Sequence, residues 1–224
     1  MCGRFSLAVT SAVIEEQFGV EGIPQIAPRY NITPSQPVLA VVNDQGSRRL
    51  THFGWGLVPS WSKAFKAGLI NARSETVAEK PSFRAAFKRR RCLLPADGFY
   101  EWQGTGKGKQ PYFIHLEEHQ VFTFAGIWER WQGSDGSELD TCAILTTSAN
   151  EMMRPLHERM PVILDPTDYD LWLDPEEDAT VGHLLQAYPA EQMTAYPVGT
   201  WVNSPKHEDP HCQDPAPEVL DLDL

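Results

Sequence analysis

The spacing of short apolar runs constrains this chain more than any other feature. Val38-Leu39-Ala40-Val41-Val42 is followed by Asn43-Asp44-Gln45-Gly46, and a second run then passes through Leu50, His52 and Trp55. From Cys92 the rhythm resumes with Leu93-Leu94 and Phe99-Tyr100-Glu101-Trp102, a glycine and lysine turn from Gly104 to Lys109, and runs at Tyr112 to Leu116 and Val121 to Trp128. A glycine-rich turn near Gly133 to Gly136 then leads into Cys142-Ala143-Ile144-Leu145-Thr146. Runs of this length bounded by turn residues read as strands, and hairpin turns between successive strands impose antiparallel pairing. The expected fold is therefore α+β, a single domain built on a curved, mainly antiparallel β-sheet or barrel-like core with flanking helices.

The helices are few and short. Thr10 or Ser11 is placed to cap one through Phe18, with Val13, Ile14 and Phe18 on its buried side. Ser82 is placed to cap another that carries Phe83 and Phe87 and ends in Lys88-Arg89-Arg90-Arg91, where cations suit the C-terminal dipole. Asp165-Pro166-Thr167 starts a helix containing Tyr169, Leu171 and Trp172, and a further helix is expected from Val181 to Ala187. Pro28 to Pro34 reads as an irregular turn. The domain is assigned to residues 1–205, and 206–224, proline-rich and acidic, as a flexible tail.

With 224 residues and 42% hydrophobic content, one substantial core is expected. No apolar run reaches the roughly 18 residues of a membrane span and no leader is evident, so the expected compartment is the cytoplasm, with no membrane partner. Cys2, Cys92, Cys142 and Cys212 are far apart and lack zinc-ligand spacing, which predicts free thiols, no metal and no cofactor. The net charge of −11 disfavours polyanionic partners, but its distribution does not. From Trp61 to Gln110 eleven Lys/Arg face four Asp/Glu, a surplus of seven that leaves −18 for the rest. Such a segment fits either a local phosphate-binding face or a solvated helix face.

Chemistry is concentrated at the start. Removal of Met1 would make Cys2 a 1,2-aminothiol whose amine, with a pKa of about 7.7–8, is partly unprotonated at neutral pH. With an aldehyde the amine gives an imine, and the thiol can then close a five-membered thiazolidine. Glu101 sits among aromatics that would raise its pKa into a range useful for proton transfer. Strand alternation allows it equally to face water. His157, in a proline-flanked loop, titrates near neutrality, and Asn71 and Arg73 offer an amide and a guanidinium from one side of a strand.

Six ordered motifs resemble the SOS response-associated peptidase (SRAP) family: Met1-Cys2-Gly3-Arg4-Phe5, Arg29-Tyr30-Asn31 with Pro34, Trp55 to Pro59, Ile70 to Thr76, Arg91 to Trp102, and His157 to Pro161. The resemblance spans roughly residues 1 to 200. It implies a monomeric sensor of abasic sites in single-stranded DNA, nucleoid-associated when bound, that joins them covalently through Cys2. It also implies that Asn71 holds the sugar-derived part of the crosslink, that Glu101 and His157 assist ring opening and proton transfer, and that Arg4, Arg73 and Arg159 bind phosphates. Trp61 would stack on a base, and Thr146 matches a pocket position. Two other readings compete: an N-terminal-nucleophile cysteine amidohydrolase or peptidase, and a non-covalent single-stranded DNA binding module.

Overall fold

The computed structural model describes residues 2–63, 68–106, 108–177 and 180–217. In chain order the elements are β1 (Phe5–Leu7), α1 (Ser11–Phe18), β2 (Arg29–Ile32), β3 (Pro37–Asp44), β4 (Ser47–Trp55), β5 (Asn71–Arg73), α2 (Arg84–Arg89), β6 (Arg91–Ala96) and β7 (Gly98–Thr105). They continue with β8 (Gly108–Leu116), β9 (Phe122–Gln132), β10 (Glu138–Ser148), β11 (Arg159–Pro161), β12 (Ile163–Leu164), α3 (Tyr169–Leu173) and β13 (Met193–Pro197).

The hairpins fall where the turn residues put them. Gln45 and Gly46 both take positive φ between β3 and β4, and Asn43 Oδ1 accepts from Gly46 N at 2.8 Å, a local bond that favours the turn. Strands β4, β3, β6, β9 and β10 pair in that order, and β10 returns to β4 in parallel, Thr141 opposite Gly54 and Cys142 opposite Trp55. This closes a five-stranded barrel and removes the free edges of those strands. The fold is α+β, as expected from the runs.

Past the point of closure, β10 picks up new neighbours. On one edge β5 takes over from β4, with Asn71 opposite Ile144 and Arg73 opposite Thr146. On the other β11 takes over from β9, with Pro161 opposite Thr146 and Arg159 opposite Ser148. The far end of β10 thereby gathers residues from three distant segments around Thr146.

A second sheet, ordered β13-β8-β7-β1-β2, lies over the barrel. Phe5 is its anchor, buried edge-on against Trp55 at 5.1 Å and Phe124 at 5.6 Å. The outer face is covered too: Tyr100 and Phe113 pack with Val198, Val202 and Cys212, which come from the C-terminal segment.

That segment corrects the expected tail at 206–217. The Glu208 carboxylate accepts from Tyr30 N at 2.7 Å, Asn31 N at 2.9 Å and Arg29 Nη2 at 3.0 Å, pairing the open edge of β2. Asp209 accepts from His211 N at 3.0 Å to start a short 3-10 turn, Pro210–Gln213, and this buries Cys212. Prolines and acids serve here as turn former and hydrogen-bond acceptors. Met1 and the last residues, 218–224, lie outside the described residues.

Four local expectations also change. Arg29–Ile32 is a strand, with its prolines just outside it. Thr10 and Ser82 make no capping bond; Ser11 Oγ instead accepts from Ile26 N at 2.8 Å, and α2 starts at Arg84. Val181–Leu184 is only a 3-10 turn. Arg91 is not a surface cation: it is buried in β6, where Nε donates to Trp172 O at 2.6 Å, Nη1 to Phe87 O at 2.8 Å, and Nη2 to Asp174 O. Among the described residues no helix is long and apolar enough to cross a membrane, and no group of His, Cys, Asp or Glu could hold a metal ion.

Candidate active site

Cys2 owes its place to the strand that begins three residues later. Burial of Phe5 fixes β1, and Tyr100 N donates to Arg4 O at 2.9 Å, so the chain ahead of β1 runs along β7 toward Glu101. From the barrel side, Asn71 Nδ2 donates to Cys2 O at 2.9 Å. The residue is fully buried, and burial pushes its thiol well above the ordinary cysteine range, with the Glu101 charge adding to the rise. The Cys2 carbonyl is thus held by an amide, while its thiol, kept protonated by burial and by the Glu101 charge, points to Arg4 O at 3.9 Å.

Glu101 is buried, 5% exposed, and this decides between the two readings of its strand. It shares a face of β7 with Phe99, which belongs to the main core, while Tyr100 and Trp102 lie on the face covered by the C-terminal segment. Asn71 Oδ1, by contrast, is buried with no hydrogen-bond partner among the described residues. It is an acceptor next to Cys2 that a ligand hydroxyl could satisfy.

The His157 loop reaches the same region. Gln103, two residues along β7 from Glu101 and on the same face, donates from Nε2 to Pro155 O at 3.3 Å. His157 Nδ1 accepts from Arg159 N at 2.9 Å. Its neutral ring must then carry the proton on Nε2. Arg159 itself is nearly buried and grips Glu75 in a fork, Nη1 to Oε1 at 2.5 Å and Nη2 to Oε2 at 2.9 Å, while Nη2 also donates to Thr146 O at 2.5 Å. Arg159 thereby holds the Glu75 carboxyl below its usual range. Glu75 was not singled out by sequence reasoning, although its place two residues after Arg73 in the Asn71 to Thr76 motif was a signal.

The remaining residues stand further out. Arg73 is exposed at the end of β5, directly opposite Thr146 in the ladder. Arg4 turns to the C-terminal segment: Nη1 donates to Asn31 Oδ1 at 2.6 Å and to Val202 O at 2.7 Å, and the guanidinium lies 5.4 Å from the Trp102 ring centre. Trp61 is 65% exposed, on a loop pinned by Val58 N to Thr141 Oγ1 at 2.9 Å and by Trp131 Nε1 to Ser62 O at 2.8 Å. The structure thus joins Cys2, Asn71 and Glu101 in one cluster and His157, Arg159 and Thr146 in a second, with Trp61 apart from both. A cavity of about 770 Å³ beside Gly19 to Ala27 is lined by none of these residues.

Comparison with known proteins identifies the family and the fold. A family model described as SOS response associated peptidase (SRAP) matches residues 1–205. A Bacillus subtilis (strain 168) protein named abasic site processing protein YoqW is 44% identical over 218 residues, covering 94% of this chain and 97% of its own. A Gallus gallus protein named abasic site processing protein HMCES is 37% identical over 221 residues, covering 83% of this chain and 65% of that longer one. The X-ray structure of a Bacteroides thetaiotaomicron protein, 27% identical, superposes with a TM-score of 0.85 over 96% of this chain and 100% of that one.

Proposed function

This chain belongs to the SOS response associated peptidase (SRAP) family, and from that premise we propose that it processes abasic sites in single-stranded DNA by trapping the sugar aldehyde on Cys2. The observation that carries the reading is the setting of Cys2, buried, with its carbonyl held by Asn71 and Glu101 beside its thiol. An ordinary frayed terminus has none of this.

The chemistry needs no redox partner. An abasic sugar is mostly a closed hemiacetal; opening it moves the anomeric hydroxyl proton to the ring oxygen and frees the aldehyde. The Cys2 amine, exposed once Met1 is removed, adds to the aldehyde carbon and water leaves, giving an imine. The thiol sulfur then bonds to that carbon while its proton passes to the nitrogen, and the thiazolidine closes. We assign Glu101, whose charge acts on the Cys2 thiol, as proton acceptor and donor, and His157, with its proton on Nε2, as a second from the neighbouring cluster. Asn71 Oδ1 accepts from a hydroxyl of the opened sugar.

The test is incubation of the processed protein with abasic single-stranded DNA, followed by denaturing electrophoresis. A denaturation-resistant adduct is expected from wild type and none from Cys2→Ala. If protein shown by mass spectrometry to lack Met1 gives no adduct, the reading fails. An adduct that persists in Cys2→Ala would overturn the assignment of the nucleophile.

A further inference from the structure

The positive surplus between Trp61 and Gln110 is split by the fold. Arg91 is consumed inside the protein, and Arg90 is tied to the buried Glu129 at 2.7 Å. Lys80, Arg84, Lys88 and Arg89 instead stand exposed on α2 and just before it. Arg84 and Lys88 are one helical turn apart and so share a face. With Arg89 and Arg90 they line a surface cavity of about 450 Å³ whose remaining walls are Ala78, Ala85 and Phe87.

Helix electrostatics account for only part of this arrangement. Lys88 and Arg89 occupy the last turn of α2, where the dipole favours cations. Arg84 is the first residue of α2 and Lys80 precedes it, where the same dipole disfavours positive charge, and the first turn holds no acid. A chain with −18 outside this segment has thus placed cations against the local field on one face. The face is also continuous with the candidate site. Ala78 and Phe87 line a neighbouring cleft of about 360 Å³ together with Ser74, Glu75 and Thr147, and Glu75 is the residue gripped by Arg159.

We propose that the α2 face is a phosphate track that takes the backbone of the DNA strand flanking the lesion, extending the footprint beyond Arg73 and Arg159. This rests on the reading of the chain as a DNA-acting protein. Spaced, exposed cations beside the candidate site suit a polyanion that continues past it; they give affinity and register and no sequence preference.

The experiment compares wild type with the combined Arg84→Glu, Lys88→Glu and Arg89→Glu variant. Binding is read by fluorescence anisotropy over a range of salt, on a short single strand spanning only the lesion and its neighbours and on a longer one. Wild type should favour the longer strand. The variant should lose that advantage and show a log–log salt slope shallower by about 2, from about 0.7 per single-strand phosphate contact. An unchanged slope with the long-strand advantage intact overturns the proposal, as does an equal loss on both strands with an unchanged thermal midpoint. If wild type binds neither strand, the DNA reading itself falls.

Discussion

Replacing Asn71 by Ala isolates the contact on which the proposed chemistry depends. The substitution deletes the 2.9 Å bond to Cys2 O and the unpartnered Oδ1 in one step. The loss of one such hydrogen bond is worth about 1 kcal/mol of stability, and the small cavity left in β5 adds little, so the protein should fold. The cost to reaction is larger. Once Met1 is gone Cys2 is the chain end, and the amide is the bond that fixes its carbonyl relative to the sugar. A shift of about 1 Å in a reacting group costs about 100-fold in rate, and loss of an acceptor that pairs with the opened sugar adds to this. The adduct should therefore form about 10- to 100-fold more slowly in single-turnover time courses. Binding to a strand carrying a tetrahydrofuran abasic analogue, which has no aldehyde to trap, should change by less than about threefold, since one neutral contact is small against the phosphate term. An adduct rate within about threefold of wild type would refute the positioning argument. An equal fall in rate and in analogue binding would make Asn71 a binding residue instead.

Arg91→Met keeps the aliphatic stem but strands the carbonyls of Phe87, Trp172 and Asp174, and should lower stability by about 3–5 kcal/mol in urea unfolding; a loss under about 1 kcal/mol would show that water replaces the guanidinium. Glu75→Gln removes a charge that competes with a phosphate for the fixed Arg159 fork, so binding to abasic single-stranded DNA should tighten several-fold in anisotropy titrations at low salt. Weaker binding would mean that Glu75 serves to orient Arg159.

The strands were legible because each is bounded by residues with a local reason to turn, such as Asn43 and Gly46. What pairs with what was not, since barrel closure joins β10 to β4 in parallel across many intervening residues and no turn encodes it. The Arg89 to Arg91 run looked uniform, yet Arg91 is internal and Arg89 exposed; only the packing of α3 against β6 separates them. Glu101 stayed open between core and solvent for a related reason. Its strand has both faces covered because Val198, Val202 and Cys212 pack on the outer one, and Cys212 lies in the 206–224 segment whose composition had pointed to a tail. The candidate residues themselves were visible as motifs. Their grouping around Thr146 required β5 and β11 to succeed β4 and β9 along β10.

The protonation of Cys2 orders the proposed reaction and makes it testable by pH. Burial and the Glu101 charge both raise the thiol, so it stays neutral below and through the ordinary cysteine range, where a free thiol would ionise. A neutral thiol is a poor first nucleophile. The amine, at about 7.7–8 for an unperturbed terminus, is the group that becomes reactive near neutrality, so the imine forms first. Once it is protonated, the imine places a positive charge against the sulfur and opposes the effect of Glu101, and ring closure becomes possible only then. Adduct formation should therefore rise with pH through the amine range and level off above it. Alkylation of Cys2 by iodoacetamide, which needs the thiolate, should stay slow across the same range and quicken only at higher pH. Parallel pH profiles of the two reactions in the processed protein check this. Rapid alkylation at neutral pH, with adduct formation tracking it, would place the thiolate first and reverse the order.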